Sequence, residues 1–140
     1  MKAILTGIAT LVILSLPVHA GGEPETEEEI AAHDVWHAAK LRGVAFRAIG
    51  QEPGWLLEMS TGDKILLVTD YGQTKTEYAY VEPEVFQAQR KSIFRVKPGE
   101  FTVTIEGIAC TDTMNGEKFE VSVTVELNGK RLQGCGRALY

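Results

Sequence analysis

Residues 119–138 read FEVSVTVELNGKRLQGCGRA. Phe119, Val121, Val123, Val125 and Leu127 alternate there with Glu120, Ser122, Thr124 and Glu126. Period two over nine residues marks a strand with one face in a core and one toward water. Asn128-Gly129 follows, and both residues tolerate the positive φ that a two-residue type I′ hairpin turn demands. Such a turn sets register, so Leu127 is expected opposite Lys130, Val125 opposite Leu132 and Ser122 opposite Cys135. Leu132, Gly134, Gly136 and Ala138 then share the apolar face with Phe119–Leu127, and Cys135 points the other way. The inward glycines either leave room for a bulky side chain, with Trp55 the candidate, or simply let the strand bend.

Just upstream, Phe101, Val103 and Ile105 alternate in the same manner, which puts Cys110 on the outer phase. Both cysteines therefore reach one face of the sheet by separate counts, as a bridge between neighbouring strands needs. A bulge at Gly107 or Gly134 would break that parity.

The chain before this segment is strand-like from Val44 onward. Val44–Ile49 alternates, and Trp55–Met59 and Lys64–Thr69 flank a Thr61-Gly62-Asp63 hairpin loop. Asp70-Tyr71-Gly72 turns the chain into Thr74–Val81, Pro83–Lys91 reads as a helical turn opened by proline, and Ser92–Val96 as a short strand before Pro98-Gly99. Seven to eight strands at short intervals predict an all-β domain, a small antiparallel barrel or bent sandwich that hides its edges. One amphipathic helix is expected ahead of it, over about residues 27–41. Thr26 and Glu29 form a capping box at its start, and Gly43 ends it.

The first twenty residues carry one lysine, an apolar run from Ala3 to Leu16, and Val18-His19-Ala20 with small residues at the cleavage positions. They read as a signal peptide cut before Gly21, with an apolar run too short to span a membrane. The expected division is a signal peptide at 1–20, an acidic arm and helix at 21–42, and a disulfide-stapled β domain at 43–140. In an exported chain of this size, two cysteines predict a structural disulfide, Cys110–Cys135. Neither a CxxC nor a third thiol is present for redox or metal chemistry.

Removing Lys2 with the leader leaves 13 basic against 19 acidic side chains, a net charge of −6. Six of the acids fall between residues 23 and 34, so the rest is balanced and carries no basic patch for nucleic acid or anionic membrane. His33 and His37 stand four apart on the helix, a spacing able to chelate a metal, but without the HExxH glutamate. No G-x-S-x-G is present. No catalytic set, cofactor or metal site is expected.

Three strings stand out as candidates for recognition. In Gly50-Gln51-Glu52-Pro53-Gly54-Trp55, Pro-Gly suits the centre of a type II turn, and Glu52 with Trp55 could wall a pocket. In Cys110-Thr111-Asp112-Thr113-Met114-Asn115-Gly116, Asp112 and Thr113 can close local turns on a stapled loop. In Gly134-Cys135-Gly136-Arg137, Arg137 shares the phase of Cys135 and is placed to pair with Asp112 or with an anionic ligand. The candidate binding residues are Glu52, Trp55, Asp112 and Arg137.

In that order, the three strings resemble a family of bacterial exported and lipoprotein β domains that share Glu-Pro-x-Trp, Cys-x-Asp-x-Met-x-Gly and a terminal Gly-Cys-Gly. The resemblance covers about residues 44–140. It implies a compact envelope β domain with Cys110 joined to Cys135 and no established activity; this chain departs from anchored relatives in lacking a lipobox cysteine. The functional expectation is a soluble periplasmic or secreted envelope protein with a non-catalytic binding or envelope-maintenance role. Its partner would be a small apolar or cell-wall ligand, or an envelope protein. Two rival expectations are a module inhibiting a cell-wall hydrolase, and a carboxylate-based hydrolase using Glu52 and Asp112.

Overall fold

A computed structural model describes residues 27–140, with side chains from Asp34 onward. The expected leader, the capping residue Thr26 and the His33 side chain lie outside the described residues. The chain opens with α1 (Glu27–Leu41). Gly43, at φ +86°, ends it where any Cβ would be strained. The Gly43 N–H donates to Lys40 O at 3.0 Å and the Val44 N–H to Ala39 O at 3.1 Å, the crossed pair of a Schellman cap.

Eleven strands follow: β1 (Phe46–Gln51), β2 (Gly54–Ser60), β3 (Lys64–Thr69), β4 (Thr74–Ala79), β5 (Glu84–Phe86), β6 (Lys91–Lys97), β7 (Phe101–Glu106), β8 (Cys110–Thr111), β9 (Lys118–Phe119), β10 (Val121–Leu127) and β11 (Lys130–Ala138). Nine of them form one antiparallel sheet in the order β4-β3-β2-β1-β11-β10-β7-β6-β5, while β8 and β9 pair only with each other. The sheet curls into a half-barrel without closing. Its two halves meet through side chains: Tyr78 of β4 lies 4.7 Å from Phe101 of β7, centroid to centroid, and Tyr80 lies 6.3 Å from Phe94 of β6.

The terminal hairpin has the expected register, with Leu127 opposite Lys130, Val125 opposite Leu132 and Ser122 opposite Cys135. Asn128 and Gly129 take φ of 50° and 79°, as the tight turn requires. The inner face buries Leu57, Ile65, Phe101, Val103, Val123 and Val125. Trp55 fills the space above the glycine backbone. A Cβ on Gly134 would stand 2.8 Å from Trp55 Cζ2 and inside contact distance of the Ile49 carbonyl oxygen, and one on Gly50 would overlap the indole nitrogen. Gly136 receives Phe46 instead, whose Cζ would lie 2.5 Å from an added Cβ.

The outer face carries a second, smaller core of Trp36, Phe119 and Cys135, joined by Ile49, Cys110 and Leu139. Trp36 anchors α1 there, 5.5 Å from the Phe119 ring and with the Arg47 and Arg137 guanidiniums over its ring at 4.6 and 5.0 Å. Tyr140 holds the same helix from the far end of the chain, its hydroxyl donating to Lys40 O at 2.8 Å. Beneath the helix exit, Glu58 accepts from Arg42 Nη2 at 2.8 Å and from Arg47 Nε at 3.2 Å. Burial holds the Arg47 guanidinium below its ordinary pKa, and Glu58 pulls it back toward the charged form.

Four local expectations change. The alternating run at 119–127 is not one strand: it breaks at Glu120, and Phe119 turns to the outer face beneath Trp36 rather than joining Val121 on the inner face. One extra residue between ladders reverses the facing of everything before it. The disulfide therefore does not join two neighbours in the large sheet; it ties the β8–β9 hairpin onto β11. Residues 84–86 form an edge strand, with a single 3₁₀ turn at Gln87–Gln89. At the β1–β2 turn, Gln51 pairs with Gly54, so the central pair is Glu52-Pro53 rather than Pro53-Gly54, and the Glu52–Pro53 peptide is cis. That is the arrangement of a type VI turn.

Gly134→Ala cannot be absorbed without moving backbone or indole, so it should cost about 3 kcal/mol or prevent folding, read from urea denaturation. Glu58→Ala leaves the Arg47 guanidinium, 11% exposed, without its partner and should cost about 3–5 kcal/mol. Arg42→Ala removes a side chain that is 57% exposed and should cost no more than about 1 kcal/mol.

Candidate functional site

The alternation of β1 and β11 turns Gln51, Gln133 and Cys135 toward the outer face, beside Ser122 and Thr124 of β10. The loop between β8 and β9 arches over this surface because the Cys110–Cys135 bond, with Cα atoms 5.5 Å apart, pins its base to β11. Between loop and sheet lies an open groove of about 470 Å³. The disulfide lines it; Gln51 and Glu52 form one wall, Thr111–Thr113 another, and Ser122, Thr124 and Gln133 add polar groups from the sheet.

Asp112 is the hinge of this arrangement. It is 5% exposed, and both carboxylate oxygens are engaged: Oδ2 accepts from Gln51 Nε2 at 2.7 Å, and Oδ1 from the Met114 N–H at 2.8 Å. Its backbone closes the same turn, donating to Glu117 O and accepting from the Gly116 N–H. The first side-chain bond spans the groove's two walls, and the second is the Asx turn expected of Asp112. A buried carboxylate with two donors is a structural anchor. Glu52, by contrast, is exposed at the rim and free of the turn hydrogen bonds that hold Asp112. Glu106 also lines the groove, with Lys91 Nζ at 3.7 Å.

The four candidate residues are not brought to one place. Glu52 and Asp112 line the groove together. Trp55 lies in the core and walls a different cavity. Arg137 does not pair with Asp112; it reaches Glu117 Oε1 at 3.3 Å and Lys118 O at 3.4 Å, and stacks on Trp36 and Phe119. The reason is positional: the guanidinium is held over the Trp36 and Phe119 rings, and Gln51 already serves Asp112.

Glu106 and Gln133 were not singled out in the sequence, and Gln51 stood in the first of the three strings without a role of its own. The outward parity of Gln133 was legible in the hairpin register, whereas the pairing of Gln51 with Asp112 spans 61 residues and has no local signature. The groove's chemistry is hydrogen bonding by amides, hydroxyls and carboxylates. Among the described residues, no three His, Cys, Asp or Glu side chains cluster to hold a metal ion, and no helix is long and apolar enough to cross a membrane. No protein-family model, curated protein or solved structure matches the chain.

Replacing both cysteines by alanine opens a loop of 25 residues and should cost about 3–4 kcal/mol. The nine-strand ladder does not depend on the bond. Hydrogen exchange should therefore accelerate in residues 108–119 while β1, β10 and β11 stay protected.

Proposed function

We propose that this is an exported envelope protein, periplasmic or secreted, that acts by binding rather than catalysis, with the disulfide-lined groove as its recognition surface. The observation that carries the reading is the state of Asp112. The carboxylate best placed for chemistry is already bonded to Gln51 and the Met114 amide, so its work is to hold the groove's walls together. Export is supported by the leader-like first twenty residues and by an intramolecular disulfide, a bond that persists in oxidising compartments. The groove volume falls within the range of small-ligand sites, and its lining favours a ligand rich in hydrogen-bonding groups, such as a cell-wall fragment.

Titration of mature protein with soluble muropeptides, followed by amide shifts, tests this. Saturating shifts at Gln51, Thr111, Thr113 and Ser122 are expected, and Thr124→Trp, which fills the groove, should weaken them at least about tenfold. Shifts elsewhere only, or release of a cleaved product, would overturn the binding reading.

One feature favours a second reading, a protein–protein module directed at a cell-wall hydrolase. The stapled segment presents Met114 at 70% and Ile108 at 58% exposure, apolar groups of the kind that anchor protein contacts. Capture by an immobilised lysozyme-type hydrolase, abolished by Met114→Asp, would replace the small-ligand reading with this one.

A further inference from the structure

On the other face of the sheet, at the mouth of the half-barrel, a separate cavity of about 330 Å³ opens beside the β1–β2 turn. Its apolar wall is Trp55, Leu127 and Leu132, and its polar rim is Asp70, Asn128 and Lys130. Next to it, Asp70 and Tyr71 take φ of 52° and 54°, followed by Gly72 at 92°. The left-handed region is tolerable for aspartate but a genuine outlier for a bulky tyrosine. Strain of this kind persists only where surrounding structure holds it, and it gathers at ligand clamps.

The conformation has a visible consequence. The Tyr71 ring is laid against the backbone of Gly54, where an added Cβ would come within 2.7 Å of its Cδ1. Yet Tyr71 remains 73% exposed. The ring is therefore seated on Gly54, itself a lining residue of the cavity, and adjoins the cavity at its rim without lining it. Burial does not explain why an aromatic should be fixed in strained backbone and left wet.

We propose that this cavity is a saccharide-binding site with Tyr71 as its stacking platform. An exposed aromatic face suits the apolar C–H face of a pyranose ring, and the rim offers both donors and acceptors for ring hydroxyls. Lys130 donates, Asp70 accepts, and the Asn128 amide does both. Asp70 Oδ2 is held by the hydroxyls of Thr74 at 2.9 Å and Thr69 at 3.4 Å, which fixes the carboxylate at the rim. One cation and one anion leave the rim without net charge, which favours a neutral polyhydroxyl ligand over an anion or a cation. Asn128 sits in the tight turn that ends β10, so its amide is presented by rigid backbone. The site is independent of the groove on the outer face and stands or falls separately.

The test is an amide-shift titration of mature protein with maltose, cellobiose and N,N′-diacetylchitobiose, with glycine betaine as a zwitterionic probe. Saturating shifts at residues 69–72 and 127–130 with at least one disaccharide are expected, with Asp112 and Thr113 unmoved. Tyr71→Ala should weaken binding about tenfold or more, and Tyr71→Phe should retain it. Because the ring is so exposed, the alanine variant should keep the wild-type spectrum elsewhere. Three results would overturn the proposal: no saturable shift with any of the disaccharides, tighter binding of betaine than of the sugars, or an unchanged Kd in Tyr71→Ala.

Discussion

The fold depends on the close approach of two aromatic rings to bare backbone in β11. Gly134 and Gly136 have no side chains to keep Trp55 and Phe46 away, and both rings rest where a Cβ would collide. This contact lets the sheet curl: at the middle strand of nine, the inner layer is supplied by rings reaching over from β1 and β2. Burying an indole is worth about 4–6 kcal/mol at ~25 cal/mol/Å² over some 150–250 Å². That is a large share of the net stability of a domain this size.

The same strand organises the outer face. Cys135 and Arg137 alternate with the glycines, and each holds a different element: the disulfide secures the β8–β9 hairpin, and the guanidinium stacks on Trp36 of α1. Because side chains on a strand alternate strictly, core packing on one side and attachment on the other are carried by consecutive residues without competing. The two candidate surfaces inherit that division. The groove belongs to the attached hairpin; the cavity beside Tyr71 belongs to the open end of the curl. The sheet lies between them, which is why Glu52 and Trp55, three residues apart, serve different sites.

Asp112 illustrates how a buried acid is read correctly only with its partners in view. Within the string Cys110–Gly116 it suits either an Asx turn or general acid–base chemistry. The structure shows the Asx turn to Met114 and adds a bond from Gln51 that joins β1 to the hairpin loop, a link that packing alone would not provide. Around Glu58 the same logic operates at the helix exit, where two arginines from different elements share one buried carboxylate. Polar groups buried on the outer face are thus fastenings between elements, each with its hydrogen-bond demand met.

The chain's own alternation determined the all-β class, the terminal hairpin and its register, the facing of Cys135, and α1 with its glycine stop. These are local: period two, Asn-Gly and a C-terminal glycine act over a few residues, and backbone sterics enforce them wherever the chain goes. Only the tertiary structure decided that Phe119 would leave its run for the outer face, that the sheet would stay open, that Arg137 would go to Trp36 and Gln51 to Asp112, and that Tyr71 would be set in left-handed backbone against Gly54. Each of these turns on which distant surface is nearest once the sheet has curled. Curl is a sum over all the strands, and no single stretch of residues records it.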